Sequence, residues 1–175
     1  MNKINRAFVA TLLLVATPAI AATEDVLPVN SDEISKYRDA GEWTVRANET
    51  RGTCFISRSD DEGYLVQMGF TKNSQYGYVG IFKKGADVEE NDEAVAIAIN
   101  GNLYIGSVKK LVHGASGGYQ GGYVVTNDRQ LRLDLESQNE MVIFPESPYT
   151  VTVNLKDVRN AIFEARKCTR ELQSS

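Results

Sequence analysis

Short stretches in which apolar and polar residues alternate begin at Trp43 and recur along the chain. This period of two is typical of β-strands that have one face in a core. Turn-forming residues separate the stretches, as expected for neighbouring antiparallel strands. The predicted strands are residues 43–47, 53–57, 64–70, 77–82, 141–144 and 150–153.

The strongest local signal predicts a β-hairpin over residues 94–105. Two apolar runs flank Asn100-Gly101, and Asn-Gly is the preferred two-residue hairpin turn because both positions accept a positive φ. The register that follows from this turn places Ile97 opposite Tyr104.

Two segments carry weaker helical signals. Ser31 is a candidate N-cap and Gly41 a candidate stop, which predicts a short helix over residues 31–40. Residues 127–138 are ambiguous between strand and helix. Leu131, Leu133 and Leu135 alternate as in a strand, whereas Asn127 and Gln130 resemble a capping pair, and we favour a short helix.

A longer helix is predicted over residues 155–172, with Asn154 as its cap. Its apolar residues recur at spacings of three and four and therefore share one face. They are Leu155, Val158, Ile162, Ala165 and Cys168. Together the elements predict a mainly β fold, α+β at the margin, in the form of an antiparallel β-sandwich-like domain with a C-terminal helix. This single domain is expected over residues 42–172, after an N-terminal leader over residues 22–41.

Residues 1–21 have the features of a signal peptide. Lys3 and Arg6 precede an apolar run, and Ala19-Ile20-Ala21 supplies small residues for cleavage after Ala21. The apolar run is too short to span a bilayer, which needs about 20 residues. We therefore expect a soluble periplasmic or secreted protein that is not membrane-spanning, although a buried N-terminal helix is the alternative.

Export changes the interpretation of the two cysteines, Cys54 and Cys168. An oxidising compartment allows them to form one disulfide bond, which would tie the C-terminal helix to an early strand. Two buried free thiols, or one catalytic thiol, are the alternatives. Neither cysteine has a basic partner nearby in the sequence, since the single histidine is His113.

Charge and residue content exclude several classes of function. A net charge of −4 argues against nucleic acid as a partner. One histidine excludes zinc sites that need two, and no phosphate loop or dinucleotide fingerprint is present, so we expect no metal and no cofactor. Acidic residues at 60–62 and 87–93 fit solvated turns better than a calcium site. Residues 114–118 resemble the nucleophile loop of chymotrypsin-like proteases, but His113 adjoins that loop instead of lying on a separate strand, so a hydrolase is less favoured.

The stretch from residue 113 to residue 123 is a candidate binding loop. It contains five glycines together with the predicted contact residues Ser116, Tyr119, Gln120 and Tyr123. Glycine and tyrosine together give an adaptable loop with rigid amphipathic contact groups. A hairpin tip with both tyrosines folded back on the sheet is the alternative.

Several short motifs keep a characteristic order and spacing. They are Gly41-Glu42-Trp43-Thr44-Val45, Thr53-Cys54-Phe55-Ile56, residues 95–101, and residues 151–155 leading to Ala161 and Cys168. In this respect the chain resembles the invasion-associated locus B family of exported bacterial proteins. The resemblance implies a β-rich periplasmic or secreted domain without known catalytic residues, associated with host-cell invasion. Family members often have a further cysteine four residues after the tryptophan, where this chain has Ala47.

A second, shorter resemblance is to periplasmic lysozyme inhibitors, which insert a Ser-Gly…Tyr loop into the enzyme's cleft. Here that loop would be Ser116-Gly117-Gly118-Tyr119. We expect a non-catalytic binding protein whose partner is an unknown protein or an envelope or host component, and the first resemblance implies an association with virulence. A lysozyme inhibitor is the alternative, and an enzyme is not expected.

Overall fold

The computed structural model describes residues 27–29, 31–85, 94–107, 118–145 and 150–174. These residues form ten strands and two helices. In chain order they are β1 (Ile34–Ala40), β2 (Trp43–Asn48), β3 (Thr53–Ser59), β4 (Tyr64–Phe70), β5 (Gly77–Lys84), β6 (Ala94–Ile99), β7 (Asn102–Ser107), β8 (Tyr119–Thr126), α1 (Arg129–Ser137), β9 (Glu140–Ile143), β10 (Val151–Asn154) and α2 (Val158–Ser174).

The strands form two antiparallel sheets, which confirms the predicted mainly β, sandwich-like fold with a C-terminal helix. The six-stranded sheet has the order β1-β2-β3-β4-β5-β8, and the four-stranded sheet has the order β10-β9-β6-β7. The predicted hairpin is present as β6 and β7, with Ile97 opposite Tyr104. Asn100 and Gly101 have φ values of 54° and 77°, as such a turn requires.

The main core lies between the inner face of the six-stranded sheet, the four-stranded sheet and α2. The apolar face of α2 packs mainly on β2 and β3. The buried helix residues are Val158, Ala161, Ile162, Ala165 and Cys168. Full burial of a Val or Ile side chain stabilises a fold by about 1.5–3 kcal/mol, so this face fixes the helix on the sheet.

The predicted disulfide joins this helix to β3. Cys54 and Cys168 are bonded, with their Cα atoms 5.9 Å apart. The Thr169 hydroxyl also accepts a hydrogen bond of 2.9 Å from the backbone N–H of Cys54. The bond therefore ties the second half of α2 to the middle of the six-stranded sheet.

A second cluster, which is aromatic, lies on the opposite face of the six-stranded sheet. Phe55, Tyr78, Phe82 and Tyr123 are its buried rings, and Leu27 packs against them. The ring centroids of Phe82 and Tyr123 are 5.2 Å apart in an edge-to-face arrangement. Both faces of this sheet therefore carry buried apolar side chains.

The prediction of a short helix over residues 31–40 is wrong. Residues 34–40 form β1, which pairs with β2 from Ile34 opposite Asn48 to Ala40 opposite Trp43. Gly41, with φ of 66°, turns the chain between these two strands and does not end a helix. Pairing along the edge of β2 satisfies the backbone of β1, which outweighs the local capping signals.

The other two predicted helices are present, but each starts elsewhere than expected. Asp128, not Asn127, caps α1, since its Oδ1 atom accepts a 2.8 Å hydrogen bond from the Gln130 N–H. Helix α2 begins at Val158, three residues after the predicted start at Leu155. Asp157 has φ of 66°, a left-handed conformation that cannot lie inside a right-handed helix.

No helix among these residues is long and apolar enough to cross a membrane. The predicted signal peptide over residues 1–21 and the first five residues of the predicted leader, 22–26, precede the first described residue. Of the described part of that leader, Leu27 contacts the aromatic cluster, and residues 34–40 form β1 of the six-stranded sheet.

Candidate ligand-binding cleft

The predicted contact residues do not form one surface. Tyr119, Gln120 and Tyr123 lie on β8, whereas Ser116 lies outside the described residues. Because side chains alternate along a strand, Gln120 lies on the sheet face opposite to that of the two tyrosines. The hypothesis of a Ser-Gly-Gly-Tyr inhibitory loop stays a prediction, since Ser116 and Gly117 lie outside the described residues.

The prediction that Tyr123 is an exposed contact residue is wrong, because only 2% of this residue is exposed. Its hydroxyl donates a 2.6 Å hydrogen bond to Oε1 of Gln67, a buried side chain on β4. Burial raises the pKa of Tyr123 well above its ordinary value, so the phenol is neutral. Tyr123 is therefore a core residue, as the alternative interpretation of this stretch proposed. Tyr119 and Gln120 are half-buried and remain candidates.

Strand pairing forms a cleft at one end of the six-stranded sheet. Phe70 is opposite Gly77 where β4 turns into β5, and Gly77 is also opposite Thr126 at the end of β8. The β4–β5 turn over residues 71–76 therefore lies beside the chain that enters α1. The cleft between them has a volume of about 580 Å³, within the range of small-ligand sites. Its lining residues are Phe70, Ser74, Gln75, Tyr76, Gly77, Asn127, Asp128, Arg129, Leu131 and Arg132.

Local hydrogen bonds fix the turn side of this cleft. The backbone N–H of Thr71 donates to the Tyr76 carbonyl at 3.0 Å, and the Thr71 hydroxyl accepts from the Tyr76 N–H at 3.2 Å. Asn73 Oδ1 accepts from the Gln75 N–H at 3.1 Å. The turn is thus held by its own polar residues, which positions Tyr76 at the cleft.

Arginines provide the charge on the helix side. Arg129 and Arg132 are three residues apart on α1, and both line the cleft. The Nε atom of Arg132 is buried and has no hydrogen-bond partner within the described part of the chain. The Oε1 atom of Glu136 lies 4.0 Å from it, and that oxygen already accepts a 2.9 Å hydrogen bond from Arg166.

Aromatic rings and side-chain amides complete the cleft. The guanidinium of Arg166 stacks on the Phe70 ring at 4.9 Å from its centroid, which restrains this ring. Tyr76 lies on the turn side, and the amides of Gln75 and Asn127 supply both donors and acceptors. The arrangement can bind an anionic group beside an apolar surface.

A second polar cluster, centred on Asp134, has a different character. This carboxylate is 1% exposed and accepts hydrogen bonds from the Tyr104 hydroxyl at 2.7 Å and from Asn102 Nδ2 at 2.8 Å. Gln130 Nε2 donates to its other oxygen at 2.9 Å. Burial by itself would raise the pKa of Asp134, but these hydrogen bonds outweigh it and lower the pKa. The described donors to Asp134 are side chains of the protein itself, two on the β6–β7 hairpin and one on α1. Asp134 therefore connects α1 to the hairpin and is not available to a ligand.

The acidic segments behave as turns where the structure describes them. Asp60 Oδ1 accepts a 2.8 Å hydrogen bond from the Tyr64 N–H, as in a strand-connecting turn, whereas residues 87–93 lie outside the described ranges. Across the part of the chain that the structure describes, there is no group of three or more His, Cys, Asp or Glu side chains able to hold a metal.

Sequence reasoning missed the cleft residues Phe70, Tyr76, Arg129 and Arg132. The available signal was the pair of arginines three residues apart at the start of a helix in an acidic chain. Comparisons of the chain with family models, with curated proteins and with solved structures gave no match.

Proposed function

We propose that the chain is an exported, non-catalytic binding protein of the bacterial envelope, and that the cleft between the β4–β5 turn and α1 is its ligand site. The observation that carries this proposal is the pairing of two cleft arginines with two aromatic side chains, Phe70 and Tyr76. Rigid aromatic surfaces and guanidinium groups are the side chains most enriched where proteins bind partners.

The charged groups of the cleft favour binding over catalysis. A guanidinium stays protonated at neutral pH and cannot act as a general base. The carboxylate of Asp128 is the acidic group in the lining, and it is engaged as the cap of α1. The side chains that line the cleft therefore supply recognition and not proton transfer.

Export is supported by the covalent chemistry and by the sequence. The bond between Cys54 and Cys168 persists in oxidising compartments such as the periplasm. Residues 1–21 have the pattern of a cleaved leader. The resemblance to the invasion-associated locus B family agrees with this location and adds a role in interaction with a host as a hypothesis.

The experiment is affinity capture from envelope extract, with the disulfide-intact protein as bait. The double variant Arg129→Ala/Arg132→Ala is expected to lose components that the wild-type protein retains. The matched control is Arg170→Ala, which removes an exposed arginine from α2. A third bait, Tyr119→Ala, tests β8 as the contact surface. If Tyr119→Ala loses the captured components and the double variant retains them, the site lies on β8 and not in the cleft. Turnover in a hydrolase screen that depended on one acidic residue would contradict a non-catalytic function.

A further inference from the structure

The cleft carries more positive charge than its own acidic residues neutralise. Arg132 and Arg166 both lie beside the single carboxylate of Glu136, at 4.0 Å and 2.9 Å. Arg159 also donates, through Nε, to the backbone carbonyl of Glu136. The Glu136 carboxylate thus faces two arginines, and Arg129 is a second cation beside Arg132 in the lining of the cleft.

The Nε atom of Arg132 is buried, whereas 37% of its side chain is exposed, so a ligand in the cleft can contact only the exposed part of this residue. The nearest carboxylate oxygen, Oε1 of Glu136, is already hydrogen-bonded to Arg166 and lies beyond hydrogen-bond distance at 4.0 Å. Glu136 therefore makes no direct hydrogen bond to Arg132, and an oxyanion in the cleft would pair with the exposed part of this guanidinium.

On this basis, and resting on the proposed function of the same cleft, we infer that the ligand presents a carboxylate group. A guanidinium pairs with the two oxygens of a carboxylate through parallel hydrogen bonds, which a Lys ammonium cannot do. The Asp128 carboxylate also lines the cleft and disfavours ligands with a charge near −2, such as a phosphate monoester. A ligand group with a single negative charge fits two arginines and one carboxylate better.

The other lining groups describe the rest of the ligand. The Asn127 amide oxygen can accept a hydrogen bond from the ligand, and Asp128 and Gln75 keep acceptor capacity beyond the hydrogen bonds that they accept from the Gln130 N–H and from Asn73 Nδ2. These acceptors match N–H or O–H groups of the ligand. Phe70 and Tyr76 offer apolar surface to its carbon skeleton. Acidic peptides and uronic-acid sugars both combine these features, and the carboxylate is the chemistry that they share.

Titration followed by NMR tests the inference on the full, disulfide-bonded protein, with the arginine Nε–H resonances as the readout. The probes are an N-acetylated, amidated triglutamate peptide, a trigalacturonate, and inorganic phosphate. The matched neutral probe is the triglutamine peptide, which has the same shape without the carboxylates. We expect one of the two carboxylate probes to shift the Arg132 and Arg129 resonances, and the one that does so identifies the source.

Two variants separate recognition of the carboxylate from general electrostatic attraction. Arg132→Lys keeps the charge but loses the planar fork, and we expect it to bind the active probe at least about tenfold more weakly, since hydrogen bonds to charged groups are each worth more than one factor of ten. Arg170→Gln should bind as the wild type does. Equal binding of triglutamine, tighter binding of phosphate, or an unchanged affinity in Arg132→Lys would overturn the inference.

The absence of a shift with every probe would also overturn the carboxylate assignment. The proposed function would then still stand if capture from envelope extract depended on Arg129 and Arg132. Conversely, carboxylate binding in the cleft together with capture that ignores these arginines would keep the ligand class and remove the cleft from the partner interface.

Discussion

The carboxylate of Asp32 lies 2.6 Å from Nε of Arg51 and is almost fully buried, with 2% of its side chain exposed. The same oxygen accepts hydrogen bonds from Nδ2 of Asn48 at 2.8 Å and from the backbone N–H of Val29 at 2.9 Å. Asp32 therefore connects the β2–β3 turn to the segment whose Leu27 covers the aromatic cluster. One carboxylate holds the start of the described chain on the six-stranded sheet.

Replacement of Asp32 by Asn should lower the free energy of unfolding by about 2 kcal/mol, because a buried charge-assisted hydrogen bond is lost. Hydrogen exchange should show earlier opening near Leu27 and Val29 than in the wild-type protein. The control is Asp39→Asn, which removes an exposed carboxylate paired with Lys36 and should change stability little. Equal effects of the two variants would mean that Asp32 does not fix this segment.

The Asp32 network also makes stability depend on pH. Burial alone would raise the pKa of Asp32, but the hydrogen bonds from Arg51, Asn48 and the Val29 N–H outweigh it and lower the pKa below 3.8. A lowered folded-state pKa adds stability above the unfolded value, and that stability is lost as the pH falls from 3.8 toward the folded pKa. Denaturant titrations across this acid range should therefore show a steeper loss of stability for the wild type than for Asp32→Asn.

The disulfide closes most of the domain into one loop, since 114 positions separate Cys54 from Cys168. A loop of about 100 residues is expected to gain about 4–5 kcal/mol from the constraint on the unfolded chain. The double variant Cys54→Ala/Cys168→Ala should lose stability on this scale and keep its strand content by circular dichroism. Reduction of the wild-type protein serves as the control, because it breaks the same bond without changing core volume. A loss of less than about 1 kcal/mol in both samples would contradict this role.

Local patterns predicted those elements whose hydrogen bonds are local. The β6–β7 hairpin depends on Asn100-Gly101 and its flanking alternation, so its register could be derived without the rest of the fold. β1 depends on β2 for its backbone partners, and a capping signal at Ser31 cannot report that pairing. The start of α2 depends on the left-handed conformation of Asp157, which no periodicity reveals.

The candidate site was harder to predict, because register decides which side chains are exposed. Tyr119 and Tyr123 lie on the same face of β8, but Tyr123 is opposite Gly80 in the sheet interior, whereas Tyr119 is opposite Lys84 near its end. A Cβ atom on Gly80 would overlap the Tyr123 ring, so this glycine provides the space that the ring fills. The cleft likewise depends on two successive strand pairings that join segments far apart in the sequence.

The two tyrosines of β8 should therefore respond differently to loss of the hydroxyl group. Tyr123→Phe leaves the buried Oε1 atom of Gln67 without its donor and should destabilise the protein by about 1–3 kcal/mol. Tyr119→Phe should stay within about 0.5 kcal/mol of the wild type, as is usual for substitutions away from buried networks. Urea unfolding of both variants measures the difference. Equal stabilities would mean that the hydrogen bond from the Tyr123 hydroxyl to Gln67 does not stabilise the fold.

Asp134 should control how firmly α1 is held on the β6–β7 hairpin. Asp134→Ala leaves the buried Tyr104 hydroxyl and the amide of Asn102 without their acceptor, and we expect a loss of about 3 kcal/mol. Asp134→Asn keeps the shape but gives up the negative charge, so it should lose less stability.

Hydrogen exchange of the α1 amides should accelerate in both Asp134 variants, while the β2–β3 amides, which lie under α2, keep their protection. Because α1 carries Arg129 and Arg132, ligand affinity at the cleft should fall in the same order. Unchanged α1 exchange in Asp134→Ala would show that the helix is held by Leu131 and Leu135, its buried apolar residues, alone.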